Sequence, residues 1–268
     1  MKRYLSVFSM LARPTLLPML LITAVMSAAQ VWLFESRLQT ELSNYSILSE
    51  HYNATASNFI RAEYLFSVSH ITWVFAAAFV LLCVLLALPG CGYHSKTSYT
   101  VRRLSISERS VFYLQTAVNV VYLLALWAVE VLLCILLCRR YITAAPAEIV
   151  SELTEMLTFY RSPFLHALLP LADTIVWVRN IILLLILSAS AAIFPYCQRR
   201  SKFSPDLAAY ALLTLINFEH TLGDGFNVFL LLFCGAIIAG SIFHTLYIRE
   251  DAENTPEVNP YENYPYPR

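Results

Sequence analysis

The chain has 268 residues, with 18 basic and 18 acidic side chains, a formal net charge of zero and a mean hydropathy of +0.61. Only 13% of the residues are charged, about half of the roughly 25% found in soluble domains, while 58% are apolar. This composition excludes an ordinary water-facing surface, and the absence of a basic excess argues against nucleic-acid binding. We therefore expect a protein that lies in the lipid bilayer.

Apolar runs of about 20 residues, long enough to cross a hydrocarbon core as a helix, recur along the chain. They predict an all-α protein in which residues 1–249 form one transmembrane domain. Its six spans cover residues 15–34, 71–88, 111–138, 175–197, 206–222 and 226–248. The fifth is the shortest. The fourth contains Arg179 near one end, where we expect its side chain to snorkel to the interface.

Residues 1–13 gather polar side chains on one side at about 100° per residue and apolar ones on the other, a pattern typical of a helix lying flat in the headgroup layer. We expect this interfacial helix to enter the first span at Arg13-Pro14. Alternatively, residues 1–29 are a signal peptide, with Ser27-Ala28-Ala29 as the small-residue cleavage site.

Basic residues near the span ends predict the orientation, because cytoplasmic loops hold the excess of Lys and Arg. With six spans, 12 of the 18 lie on the cytoplasmic side together with both termini. Arg139 and Arg140 contradict this locally, because they fall at an outer helix end. The multi-pass chain is expected in a bacterial cytoplasmic membrane.

The two long outer segments show helical spacing of apolar residues, and the second ends at Ser162-Pro163. They are interpreted as extracellular helices that pack over the bundle, or as part of a gate. Residues 250–268 contain four prolines and no apolar period. We expect them to be a disordered cytoplasmic tail.

The segment between the second and third spans is basic. Ser105-Ile-Ser-Glu108 is a capping box, which places the start of the third helix near Ser105. The preceding residues, including Arg102 and Arg103, then project into the cytosol. These arginines either set the topology or contact a partner.

The third span contains a line of polar side chains. Gln115, Asn119, Tyr122 and Glu130 fall within about 80° of one another at about 100° per residue. Polar groups of this kind seldom face lipid. The polar line is therefore predicted to face another helix, a second subunit or a substrate path.

The sixth span contains overlapping pairs of small residues, Gly235 with Ala239 and Ala236 with Gly240, a spacing that allows close helix contact. Packing within the chain and dimerisation explain these pairs equally well.

Catalytic and metal-binding motifs are weak. Gly90 to Thr97 has the register of a phosphate-binding loop, but Ser95 replaces its second glycine and no strand precedes it. The six cysteines lie in or beside apolar runs, where they behave as small apolar residues. No metal site is expected. Glu219, His220 and Asp224 are the one titratable cluster that could serve a metal-dependent membrane enzyme, although Gly223 and Gly225 favour a turn.

The stretch from Lys96 to Arg109, followed by a long third span, resembles the permease subunits of type-2 ABC (ATP-binding cassette) exporters. Leu104-Ser-Ile-Ser-Glu-Arg109 stands where members have a Leu-Pro-[Ile/Val]-Ser-Arg-like segment, with Ser in place of the usual Pro. The resemblance is sharp over residues 96–141 and architectural elsewhere.

The resemblance implies a dimeric permease whose loop between spans two and three is a coupling helix on a separate ABC ATPase subunit. By position, the docking residues are Tyr99, Arg102, Arg103, Leu104, Glu108 and Arg109. The chain would itself be no enzyme and hold no cofactor, because ATP and Mg²⁺ would bind to the ATPase. The second permease is a copy or a paralogue. A membrane enzyme and a non-catalytic sensor or assembly factor are the alternatives.

Overall fold

The computed structural model describes residues 2–52, 59–88, 108–171, 173–199, 206–219 and 224–246. These residues form nine α-helices and no strand. The helices are α1 (Lys2–Tyr52), α2 (Ala62–Val68), α3 (Ile71–Ala87), α4 (Glu108–Ala144), α5 (Thr154–Arg161), α6 (Pro163–Leu168), α7 (Thr174–Arg199), α8 (Asp206–Glu219) and α9 (Asp224–Leu246). The all-α class is as predicted. The tail, residues 250–268, lies outside the described residues.

Four helices, α1, α4, α7 and α9, are long and apolar enough to cross a membrane. A fifth span results if α2 and α3 count as one, although they are bent by 52° at His70, whose φ of 56° is in the left-handed region. Helix α8 is described over 14 residues, Asp206–Glu219, and residues 220–222 of the span predicted for 206–222 lie outside the described residues. The structure is that of a multi-pass membrane protein, and the count of six stays a prediction.

Helix α1 is one element of 51 residues, about 76 Å long at 1.5 Å per residue. The flat helix expected for residues 1–13 therefore does not exist as a separate element, since the chain stays helical through Pro14 and Pro18. The carbonyl of Ala12, in this proline-rich stretch, accepts hydrogen bonds from Thr15 Oγ1 at 3.0 Å and Tyr122 Oη at 2.7 Å. Proline is tolerated in membrane helices where side chains and neighbouring helices supply bonds of this kind.

The bundle is built around α4, which packs most closely against α1 and α7. Helix α3 lies on α1, α8 lies between α7 and α3, and α9 packs on the outer side of α7. Large apolar side chains such as Leu17, Leu132 and Leu232 remain exposed on α1, α4 and α9. An exposed apolar surface of this kind suits a bundle surrounded by lipid.

At one end of the bundle, α1 contacts α2, α2 contacts α5, and α5 contacts α6. We call residues 35–48 of α1 together with α2, α5 and α6 the helical cap. Tyr141 Oη donates to the carbonyl of Ile60 at 2.7 Å, and the rings of Tyr45 and Phe59 meet edge to face. Arg140 is 2.8 Å from Glu35, and Arg139 is 3.7 Å from Glu155. The two arginines that contradicted an outer placement therefore each have an acidic neighbour.

Candidate functional site

The polar line of α4 lies inside the bundle. Its part nearer the start of α4 joins this helix to α7. Asn119 is fully buried and donates from Nδ2 to the carbonyl of Ser188 at 3.1 Å. Gln115, one turn earlier, donates from Nε2 to Asn119 Oδ1 at 3.1 Å. Both polar atoms of the Asn119 side chain, Nδ2 and Oδ1, therefore take part in a hydrogen bond.

The part of the line further along α4 joins this helix to α1. Tyr122 donates to the Ala12 carbonyl, and Glu130, with no exposed surface, accepts from Gln30 Nε2 at 2.9 Å. Gln30 is also fully buried, and its Nε2 lies 3.4 Å from the carbonyl of Ile71 on α3. Three of the four polar side chains thus connect α4 to α1 and α7 of the same chain, and Gln30 links α1 in turn to α3.

A second buried polar cluster surrounds Arg179 on α7. The side chain is only 2% exposed, so the snorkelling expected from the sequence is wrong. Its Nε and Nη2 donate to Asn180 Oδ1 at 3.2 and 3.1 Å, and its Nη1 donates to Asn227 Oδ1 at 3.4 Å. Helix α9 covers Arg179 through Asn227, which the position of Arg179 in the sequence does not reveal.

A small cavity of about 30 Å³ lies between α3, α4, α7 and α8, with room for about two water molecules. Its wall is apolar and aromatic except for three polar side chains. Asn217 Oδ1, on one of these, is buried without a hydrogen-bond partner among the described residues. The lining residues are Phe75, Phe79, Leu123, Leu126, Trp127, Asn180, Leu183, Leu184, Leu187, Thr214, Asn217 and Phe218.

Helix α6 borders this cavity from the cap side. Trp127 Nε1 donates to the carbonyl of Leu168 at 2.9 Å, and Asn180 Nδ2 donates to that of Ala167 at 2.7 Å. Both donors line the cavity, and both acceptors lie in the last turn of α6, where carbonyls lack helical partners. The C-terminal end of α6 is therefore fixed to α4 and α7.

The segment predicted to dock an ATPase lies mostly outside the described residues. This applies to Tyr99, Arg102, Arg103 and Leu104, and to the side chain of Glu108. The described part of α4 starts at Glu108, where Arg109 is half-buried, and the predicted cap Ser105 lies outside the described residues.

The small residues of α9 lie on a surface that the chain leaves open. Ala236, Ala239 and Gly240 are exposed, and Gly235 is half-buried. A Cβ atom added at either glycine would have no atom within 4 Å. Of the two explanations open from the sequence, close packing within the chain does not use this face.

Among the described residues, no three His, Cys, Asp or Glu side chains lie close enough to hold a metal ion. This statement does not cover the cluster considered for a membrane enzyme, because His220 and the side chains of Glu219 and Asp224 lie outside the described residues.

No protein-family model, no curated protein and no solved structure matches the chain.

Proposed function

We propose that the chain is the permease subunit of a type-2 ABC exporter, driven by a separate ATPase. The observation that carries the proposal is the position of α4. It follows the basic segment that would dock the ATPase, and its polar line bonds it to α1 on one side and α7 on the other. A displacement of that segment would therefore move three helices together.

The cavity fits a resting state of such a permease. At about 30 Å³ it is far smaller than the 300–1,000 Å³ of drug-sized ligand sites, so this cavity does not admit a cargo of that size. Opening would require α6 to leave Trp127 and Asn180, or the bundle helices to separate, which is the kind of rigid-body change that a docked ATPase would drive.

Dimerisation is the second requirement of the proposal, and α9 offers a surface for it. Close helix contact in membranes uses small residues, and the exposed Ala236, Ala239 and Gly240 provide them. A copy of this chain or a paralogue would occupy this face.

The proposal predicts that a neighbouring gene encodes the ABC ATPase, and copurification of the two proteins tests the docking role. Arg102→Glu with Arg103→Glu should abolish copurification, because the reversed charges would repel the acidic surface expected on the ATPase. Arg199→Glu with Arg200→Glu makes the same charge change in another predicted cytoplasmic loop, and should leave copurification intact. Retention by the first variant would contradict the docking role.

The topology is tested independently by labelling single cysteines introduced at the N-terminus and at Tyr99. Both should react only with a reagent added from the cytoplasmic side. Placement on opposite sides of the membrane would overturn the exporter proposal.

A further inference from the structure

The pair formed by Gln30 and Glu130 leaves two oxygen atoms without partners. Gln30 Nε2 donates to Glu130 Oε1, which Cys134 Sγ also approaches at 3.8 Å. The remaining oxygens, Gln30 Oε1 and Glu130 Oε2, are buried and have no hydrogen-bond partner in the described part of the chain. Two buried acceptors in one hydrogen-bonded pair require a donor.

An ionised carboxylate would fit these surroundings poorly. The groups around Glu130 are the amide of Gln30 from α1, the Ile71 carbonyl that shares this amide from α3, and the Cys134 thiol from its own helix. No described cationic side chain contacts it, and Arg140, further along α4, is paired with Glu35. A carboxylate with one bare oxygen, bonded to an amide whose own oxygen is also bare, would lose its hydration without compensation.

We infer that Glu130 binds a proton on Oε2 and donates it in a hydrogen bond to Gln30 Oε1. One proton then satisfies both oxygens, because it turns one acceptor into a donor for the other. With the existing bond from Gln30 Nε2, the acid and the amide form a closed ring with two hydrogen bonds in opposite directions. The pair is neutral, as its buried position demands.

This proton site would hold α1 and α4 together close to the membrane surface. Gln30 lies two residues from Trp32, and Ile71 lies two residues from Trp73; these tryptophans are 70% and 67% exposed and suit the membrane interface. Loss of the proton would remove one of the two bonds and leave a charge in the bundle, so the contact between α1 and α4 would respond to proton release. This property does not depend on an ATPase.

Infrared spectroscopy of the full chain in lipid vesicles tests the inference directly. Glu130 is the only buried acidic side chain among the described residues, so the wild type should show a carboxylic-acid C=O band at neutral pH. The Glu130→Gln variant should lose this band. It should unfold at the temperature of the wild type, because two amides can form the same ring.

Glu152→Gln is the matched control, because it makes the same change at an exposed position of the chain. It should remove carboxylate bands and leave the acid band unchanged. The inference is overturned if Glu130→Gln removes only carboxylate bands. It is also overturned if replacing Na⁺ by choline lowers the unfolding temperature of the wild type but not of Glu130→Gln, since a metal cation would then occupy the place of the proton.

The wild-type measurement decides the question even if Glu130→Gln does not fold. Absence of an acid band from the wild type at neutral pH would contradict the inference. A band that shifts in Gln30→Leu, which removes both hydrogen bonds to the amide, would support it.

Discussion

Ionisable side chains in the helical cap and in the bundle are satisfied in different ways. In the cap, arginines pair with glutamates and both partners reach solvent: Arg140 and Glu35 are 52% and 30% exposed. In the bundle, Arg179 and Glu130 are buried, and the groups that bond them are the neutral amides of Asn180, Asn227 and Gln30.

The difference separates weak contacts from strong ones. Exposed ion pairs contribute about 0–1 kcal/mol, because water and salt screen them. A buried polar group that loses its partner costs several times more, because no water replaces that partner. The stability of the bundle should therefore depend on the amides around the charged residues, and that of the cap on its apolar contacts.

The largest effect is expected for Asn180→Leu. This change removes the acceptor of two Arg179 nitrogens and the donor to the Ala167 carbonyl, so it should lower the free energy of unfolding by about 3–5 kcal/mol. Denaturant unfolding of the full chain in detergent micelles measures it. Arg179→Met should cost less, and adding it to Asn180→Leu should recover stability, because the stranded cation is gone. Equal stability of Asn180→Leu with and without Arg179→Met would contradict this account.

An intermediate effect is expected for Asn119→Leu, which cuts the hydrogen bond between α4 and α7. Bonds between membrane helices average about 0.6 kcal/mol and reach about 1.7 kcal/mol, and this change should fall in that range. Gln115→Leu is the matched control: its side chain is half-buried and bonds only within α4, so the loss should be smaller. A larger loss of stability in Gln115→Leu than in Asn119→Leu would contradict a stabilising role of the hydrogen bond between α4 and α7.

The smallest effect is expected in the cap. Arg140→Gln should destabilise the chain least of these changes, because water and salt screen this exposed ion pair, and a double-mutant cycle with Glu35→Gln should assign the loss to the pair. The coupling should fall as salt is raised. Arg37→Gln, at an exposed arginine of the same cap, should have no coupling to Glu35→Gln. A coupling larger than the loss measured for Asn119→Leu would place the cap pair with the buried contacts and remove the contrast.

Long apolar runs and helix ends could be read from the sequence. The second span was predicted to begin at residue 71, where α3 begins, and the helix of the second outer segment ends at Ser162-Pro163, as its proline indicated. These features are local, since they depend on hydropathy and on the missing amide hydrogen of proline. The same reasoning failed at Pro14, because Tyr122 and Thr15 bond the helix there.

The partners of buried polar residues could not be read in this way. The polar line was predicted as a stripe on one face of α4, but its partner Gln30 lies in the apolar run of α1, 100 positions from Glu130. Arg179 lies close enough to a span end to suggest exposure, and only the position of α9 shows that it is covered. Such pairs depend on which helices are neighbours, and hydropathy carries no information about that.

The uninterrupted course of α1 has a mechanical consequence. When a continuous helix tilts, its two ends move in opposite directions. Helix α1 contacts α4 at Ala12, at Gln30 and at Glu35. A displacement of its amino-terminal end would therefore be transmitted to the other side of the membrane through one continuous helix, with no loop in between. The stiffness of that helix would determine how much of the displacement reaches the other end.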